Sequence, residues 1–64
     1  MTYHRIDRWE DGCETIETRK AMAMALRRSG WYKPGVLKAV EQHVRDSSCE
    51  SRVLTMDAYW EVRP

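Results

Sequence analysis

The hydrophobic pattern is clearest at the C-terminal end of the chain, in the run SRVLTMDAYWEVRP at residues 51–64. Every second residue from Leu54 to Val62 is apolar, whereas most of the residues between them are polar. This alternation is typical of a β-strand with one buried face, and Trp60 lies on that face. The pattern therefore predicts one long strand that forms the floor of the core.

The N-terminal part of the chain is predicted to form a β-hairpin over residues 3–18, with its turn at the sequence EDG. A three-residue loop is favoured over a two-residue loop, because it places Ile6 opposite Ile16 and Arg8 opposite Glu14. In that register the residues facing the core are His4, Ile6, Arg8, Glu14, Ile16 and Thr18.

Two helices are predicted in the middle of the chain. The first covers residues 18–29, with Thr18 as its N-cap and Gly30 as the residue that ends it. The second covers residues 36–46, where the apolar residues and His43 occupy one arc and the polar residues occupy the other. A strand fits this second segment less well, since it would divide the apolar residues between two faces.

These elements predict a single α+β domain covering residues 1–64. Its element order is ββααβ, with a three-stranded antiparallel sheet packed on two helices. The alternative is ββαββ, in which residues 36–45 pair with the last strand, giving one helix on a four-stranded sheet. A chain of this size buries only about 60% of its unfolded surface, so a partner or a second copy would add stability.

Composition narrows the class of protein. Hydrophobic residues make up 42% of the chain, and the net charge is only +1. Disordered chains combine low hydrophobicity with a large net charge, so a folded protein is predicted. No apolar run is long enough for a membrane span, and no secretory signal is recognisable. We therefore expect a cytoplasmic protein in which Cys13 and Cys49 are reduced thiols.

The near-neutral net charge hides a basic middle segment. Residues 18–40 contain six Lys or Arg residues and no acid, whereas acids outnumber bases on both sides of this segment. The segment also carries two aromatic residues, and Trp, Tyr and Arg dominate the energetics of protein interfaces. We predict that this segment docks on an acidic partner through Arg27, Arg28, Trp31, Tyr32, Lys33 and Lys38. The simpler alternative is a solvated helix face with the aromatic residues folded onto the core.

A second candidate surface is the outer face of the sheet. The residues predicted to share it are Tyr3, Arg5, Trp9, Tyr59 and Arg63. Aromatic and arginine side chains on an open sheet face are typical of proteins that bind single-stranded RNA. The acids interleaved among them argue against a polyanion and favour a protein partner.

No catalytic or metal-binding motif is present in the sequence. The residue types that bind zinc are represented by His4, Cys13, His43 and Cys49. None of them forms the close pair, such as C-x2-C, that structural zinc sites use. Neither a P-loop nor a dinucleotide-binding glycine motif is present, and no Cys–His nucleophile pair is indicated. We therefore predict no enzymatic activity, no metal and no cofactor.

The function expected from these observations is stoichiometric binding of a larger protein with an acidic surface. Inhibitors and accessory factors encoded by phages and mobile elements are often small proteins of this kind. The alternative is nucleic-acid binding through the basic segment at residues 19–40, since basic and aromatic side chains together suit phosphates and bases. A third hypothesis is homodimerisation, through the edge of the three-stranded sheet or through the remaining apolar surface of the helices.

Overall fold

The computed structural model describes residues 1–30 and 33–64. Its elements are β1 Thr2–Asp7, β2 Cys13–Ile16, α1 Arg19–Arg28, α2 Val36–Ser47, β3 Ser51–Leu54 and β4 Ala58–Arg63. The four strands form one antiparallel sheet in the order β2-β1-β4-β3, and both helices pack on the same face of it. The predicted α+β class, with an antiparallel sheet and two helices, is confirmed. The sheet has four strands, the number in the alternative arrangement, rather than three.

The extra strand arises because the C-terminal run turns back on itself. The chain reverses between Thr55 and Ala58, where the Thr55 N–H donates to the Ala58 carbonyl at 3.0 Å. Thr55 Oγ1 also accepts a hydrogen bond from Trp60 Nε1 at 2.8 Å and lies 3.1 Å from Asp57 Oδ1. These bonds satisfy a buried hydroxyl and a buried indole N–H together, so they stabilise the turn inside the predicted strand.

The turn divides the predicted alternating run into a part whose apolar residues are buried and a part whose apolar residues are exposed. The three apolar residues of β4 are buried, as predicted: Ala58, Trp60 and Val62. Leu54 and Met56 were predicted on the same face, but they are 62% and 61% exposed. Leu54 pairs with Tyr59, whose side chain points away from the helices, so Leu54 points away from them too.

β1 and β2 form the predicted hairpin in a different register. Ile6 and Ile16 were predicted to face each other, but Ile16 pairs with Tyr3. Tyr3 and Arg5 therefore lie on the helix-facing side of the sheet, and His4 and Ile6 lie on the other side. The predicted inner face of β1 is wrong because β1 is a central strand, and its long-range pairing with β4 places Tyr3 over the core.

The loop between β1 and β2 is longer than the predicted tight turn. The Asp7 N–H donates to the Gly12 carbonyl at 3.2 Å, which leaves residues 8–12 as the loop. The Asp7 carboxylate accepts hydrogen bonds from the N–H groups of Trp9 at 2.8 Å and Glu10 at 3.1 Å. Both bonds favour the ionised carboxylate and lower the pKa of Asp7. Local bonds of this kind compete with a tight turn.

Helix α1 matches its prediction closely. Thr18 is the N-cap, and its Oγ1 accepts a hydrogen bond from the Ala21 N–H at 3.1 Å. Gly30 follows the C-cap with a φ of +79°, a conformation that a residue with a Cβ adopts at a cost. The buried face is formed by Met22 and Leu26, which are one helical turn apart.

Helix α2 is helical throughout, so the strand alternative for this segment is wrong. Leu37 and Val44 are buried, as the apolar arc predicted. His43 was predicted on that arc but is exposed, and Glu41 is buried instead with only 2% of its surface exposed. Glu41 accepts hydrogen bonds from β1 and α1, and these compensate for its loss of water.

Two candidate interaction surfaces

A groove on the helix layer contains part of the predicted binding segment. It lies between α1 and α2, has a volume of about 540 Å³, and is lined by Arg19, Ala23, Arg27, Pro34, Gly35 and Lys38. We call these six residues the basic groove. The described lining residues include three cations and no acid. The small residues Ala23 and Gly35 leave room between the helices.

The three cations of the basic groove have different roles. Arg19 Nε donates to Glu41 Oε1 at 2.8 Å, and Tyr3 Oη donates to Glu41 Oε2 at 2.7 Å. Burial and the hydrogen bond to Glu41 raise the pKa of the Tyr3 hydroxyl. Arg27 and Lys38 are exposed, and neither makes an ion pair within residues 1–30 and 33–64. Arg19 is therefore a structural anchor, whereas Arg27 and Lys38 are available to an anionic partner.

The other residues of the predicted binding segment are distributed around this groove. Arg28 lies on the opposite side of α1, in a groove of about 430 Å³ beside β2 that also contains Glu14 and Glu17. Lys33 is exposed just before α2. Trp31 and Tyr32 lie outside the described residues. Of the six predicted residues, the structure brings Arg27 and Lys38 together and places Arg28 elsewhere.

The second predicted surface is divided between the two faces of the sheet. Tyr3 is only 8% exposed, and Arg5 lies over the ring of Trp60 on the helix-facing side, with its Cζ atom 5.4 Å from the centroid. Tyr59 and Arg63 lie on the other face. The prediction that these residues share one exposed side is therefore wrong, because the alternation of β1 was assigned one residue out of step with that of β4.

The exposed sheet face instead carries a series of cation–π contacts. Arg8 Cζ lies 5.6 Å from the Trp9 ring centroid and 5.5 Å from that of Tyr59. Arg52 Cζ lies 5.3 Å from the same Tyr59 ring. These distances are within the range of cation–π attraction. We call the surface formed by these residues and their apolar neighbours the arginine–aromatic surface: Arg8, Trp9, Arg52, Leu54, Met56 and Tyr59.

The sequence analysis identified Trp9 and Tyr59 on this surface but missed its other members. Leu54 and Met56 were assigned to the core, because their positions continue the alternation of β4. Arg8 was assigned to the inner face by the wrong register. A usable signal was present in the sequence T-M-D, because Thr and Asp both favour turns through side-chain bonds to the backbone.

The described part of the chain holds neither a metal-binding arrangement of side chains nor a disulfide. No group of three His, Cys, Asp or Glu side chains there is arranged to hold a metal ion. Cys13 and Cys49 are both exposed and are not joined by a disulfide. No helix of residues 1–30 and 33–64 has the length and apolar character needed to cross a membrane. Comparison of the chain with protein-family models, curated proteins and solved structures finds no match.

Proposed function

We propose that this protein is a small, cytoplasmic, non-enzymatic binding factor that acts stoichiometrically on a larger protein. In this proposal an acidic segment of the partner docks in the basic groove, and the protein serves as an inhibitor or accessory factor. The supporting observation is that Arg27 and Lys38, from different helices, line one open groove without an acidic partner among the described residues. Two cations held by two helices on one face of the sheet can bind two carboxylates in a defined arrangement.

The charge distribution of the whole molecule supports the same proposal. The arginines of the sheet pair with acids, as in Arg5 with Asp57 at 3.1 Å and Arg52 with Glu61 at 2.7 Å. Most cations outside these pairs lie on or beside the helices: Lys20, Arg27, Arg28, Lys33, Lys38 and Arg45. Arg8, on the opposite face of the sheet, is the exception among the described residues. An excess of positive charge on the helix side accelerates the approach of an acidic surface and orients it towards the helices.

Nucleic-acid binding through residues 19–40 is the competing proposal for this groove. Proteins that bind single strands combine a basic track with aromatic side chains on which bases stack. The described lining supplies the cations, and cations suit carboxylates and phosphates alike. The experiment therefore has to distinguish the two classes of partner.

The proposal is tested with two variants that change the net charge equally. Arg27→Glu/Lys38→Glu alters the basic groove, and Lys20→Glu/Arg45→Glu alters two exposed cations that do not line it. Tagged wild type and both variants are used for pull-down from host lysate, with and without nuclease treatment. We expect a protein that is captured by wild type and by the control variant but is lost with the groove variant.

Two results would contradict the proposal. Equal loss with both variants would mean that overall charge, and not the groove, retains the partner. Disappearance of every captured protein after nuclease would favour nucleic acid. The second result is checked by measuring oligonucleotide binding at several salt concentrations. The slope of log K against log salt concentration is about −0.9 for each phosphate neutralised on duplex DNA.

A further inference from the structure

The arginine–aromatic surface exposes apolar side chains that the fold does not use. Trp9, Leu54 and Met56 are 75%, 62% and 61% exposed, the highest values among the large apolar residues of the described chain. Trp60 differs from Trp9, because its indole is buried and hydrogen-bonded to Thr55. Single exposed apolar residues are common, but exposed apolar residues grouped together mark interaction sites.

Arg8 joins these exposed side chains into one surface. Its guanidinium is within cation–π range of both the Trp9 and Tyr59 rings, and its Nη1 atom is 3.4 Å from the Thr55 carbonyl and 3.5 Å from the Met56 carbonyl. A cleft of about 330 Å³ beside it is lined by Arg8, Leu54, Thr55 and Met56. The loop after β1 and the turn before β4 are thereby held side by side. Their side chains are arranged before any partner arrives, which reduces the entropic cost of binding.

We propose that the arginine–aromatic surface is a second docking surface, and that it binds a protein segment presenting apolar side chains together with a carboxylate. Trp, Tyr, Met and Arg are the residues enriched at the centres of protein interfaces. Arg8 makes no ion pair with any described acid, so its guanidinium can receive the carboxylate of the partner.

The charges of this face argue against two other occupants. Glu61 pairs with both Arg52 and Arg63 at 2.7 Å, so Arg8 is the remaining unpaired arginine described on this face. One unpaired cation contributes little to binding a phosphate chain. A second copy of the surface contributes no acid from its six residues, so self-pairing would leave Arg8 without an acidic partner from that surface.

This docking surface is separate from the basic groove. It lies on the face of the sheet that points away from α1 and α2, and the two sets of residues have no member in common. Occupation of one surface therefore leaves the other open. One molecule can accordingly hold two protein segments on opposite sides of its sheet.

The test is selection of peptides from a random display library on immobilised wild-type protein. We expect enriched peptides that combine apolar residues with Asp or Glu. Their affinity should fall about 10-fold or more in Trp9→Ala and should change less than about 2-fold in Arg27→Glu/Lys38→Glu. Replacing the peptide carboxylate by its amide should weaken binding to wild type. Trp9 is exposed in a loop, and an unchanged melting temperature will confirm that Trp9→Ala remains folded.

Several outcomes would overturn this second proposal without affecting the first. One is a library that yields no peptide able to distinguish wild type from Trp9→Ala. Another is equal loss of binding in the groove variant, which would place the peptides in the basic groove. Trp9-dependent binding to anionic phospholipid vesicles, or Trp9-dependent self-association in sedimentation, would assign the surface to a membrane or to a second copy.

Discussion

The buried contact between Tyr3 and Glu41 gives the sharpest stability prediction. Tyr3→Phe removes one hydroxyl and leaves a carboxylate that is only 2% exposed with Arg19 as its remaining described side-chain donor. Loss of a hydrogen bond to a buried charged group costs about 1.5–3 kcal/mol. A domain of this size has a free energy of unfolding of about 3–10 kcal/mol, at about 0.05–0.15 kcal/mol per residue. The variant should therefore lose a large fraction of its stability.

The measurement is urea unfolding followed by circular dichroism, with Tyr59→Phe as the matched control. Tyr59 is half-buried on the outer sheet face, and its hydroxyl makes no hydrogen bond within the described residues, so its removal should cost less than about 0.5 kcal/mol. A double-mutant cycle with Glu41→Gln should show coupling above about 0.5 kcal/mol. Equal losses for the two Tyr→Phe variants, or additive effects in the cycle, would refute the reasoning.

Three further predictions concern the same fold. The pKa of Tyr3 in the folded protein is raised above its ordinary value of 10.0. Its contribution to the free energy of unfolding is therefore fully present below pH 10.0 and is lost as the pH rises through the folded-state pKa. The urea midpoint of the wild type should fall as the pH is raised from 10.0, and that of Tyr3→Phe should fall less. Thr55→Val leaves the buried Trp60 N–H unpaired and should cost about 1–3 kcal/mol in urea unfolding, whereas Thr15→Val on the exposed edge should be nearly neutral. Thr18→Ala removes the N-cap of α1 and should cost about 1 kcal/mol, a loss that Thr18→Ser, which keeps the acceptor oxygen, would largely avoid if capping is the cause.

The existence and ends of the helices could be predicted from the sequence, because the determinants are local. Thr18 lies next to the first turn that it caps, and Gly30 lies next to the last turn that it ends. The apolar stripe of α1 repeats within a single turn and needs no knowledge of the rest of the chain. The basic character of the middle segment is likewise a property of the sequence, although its assembly into a groove is not.

Strand registers and exposed faces were decided by the tertiary structure. An alternating pattern specifies two faces but does not say which one meets the helices, and a shift of one residue reverses every side chain. The pairing of β1 with β4 joins residues far apart in the chain, and it placed Tyr3 inside and Arg8 outside. The reversal at Thr55 divided one apparent strand into two and turned Leu54 outward.

The candidate surfaces depended on the same long-range contacts. Sequence alone determined that an α+β fold with two helices and an uneven distribution of charge would form, because composition, caps and periodicity act over a few residues. Only the placement of α1 and α2 on one face of the sheet could bring Arg27 and Lys38 to one groove and separate Arg28 from them. The burial of Glu41 was also a tertiary outcome, since a carboxylate is buried only where distant donors such as Tyr3 satisfy it.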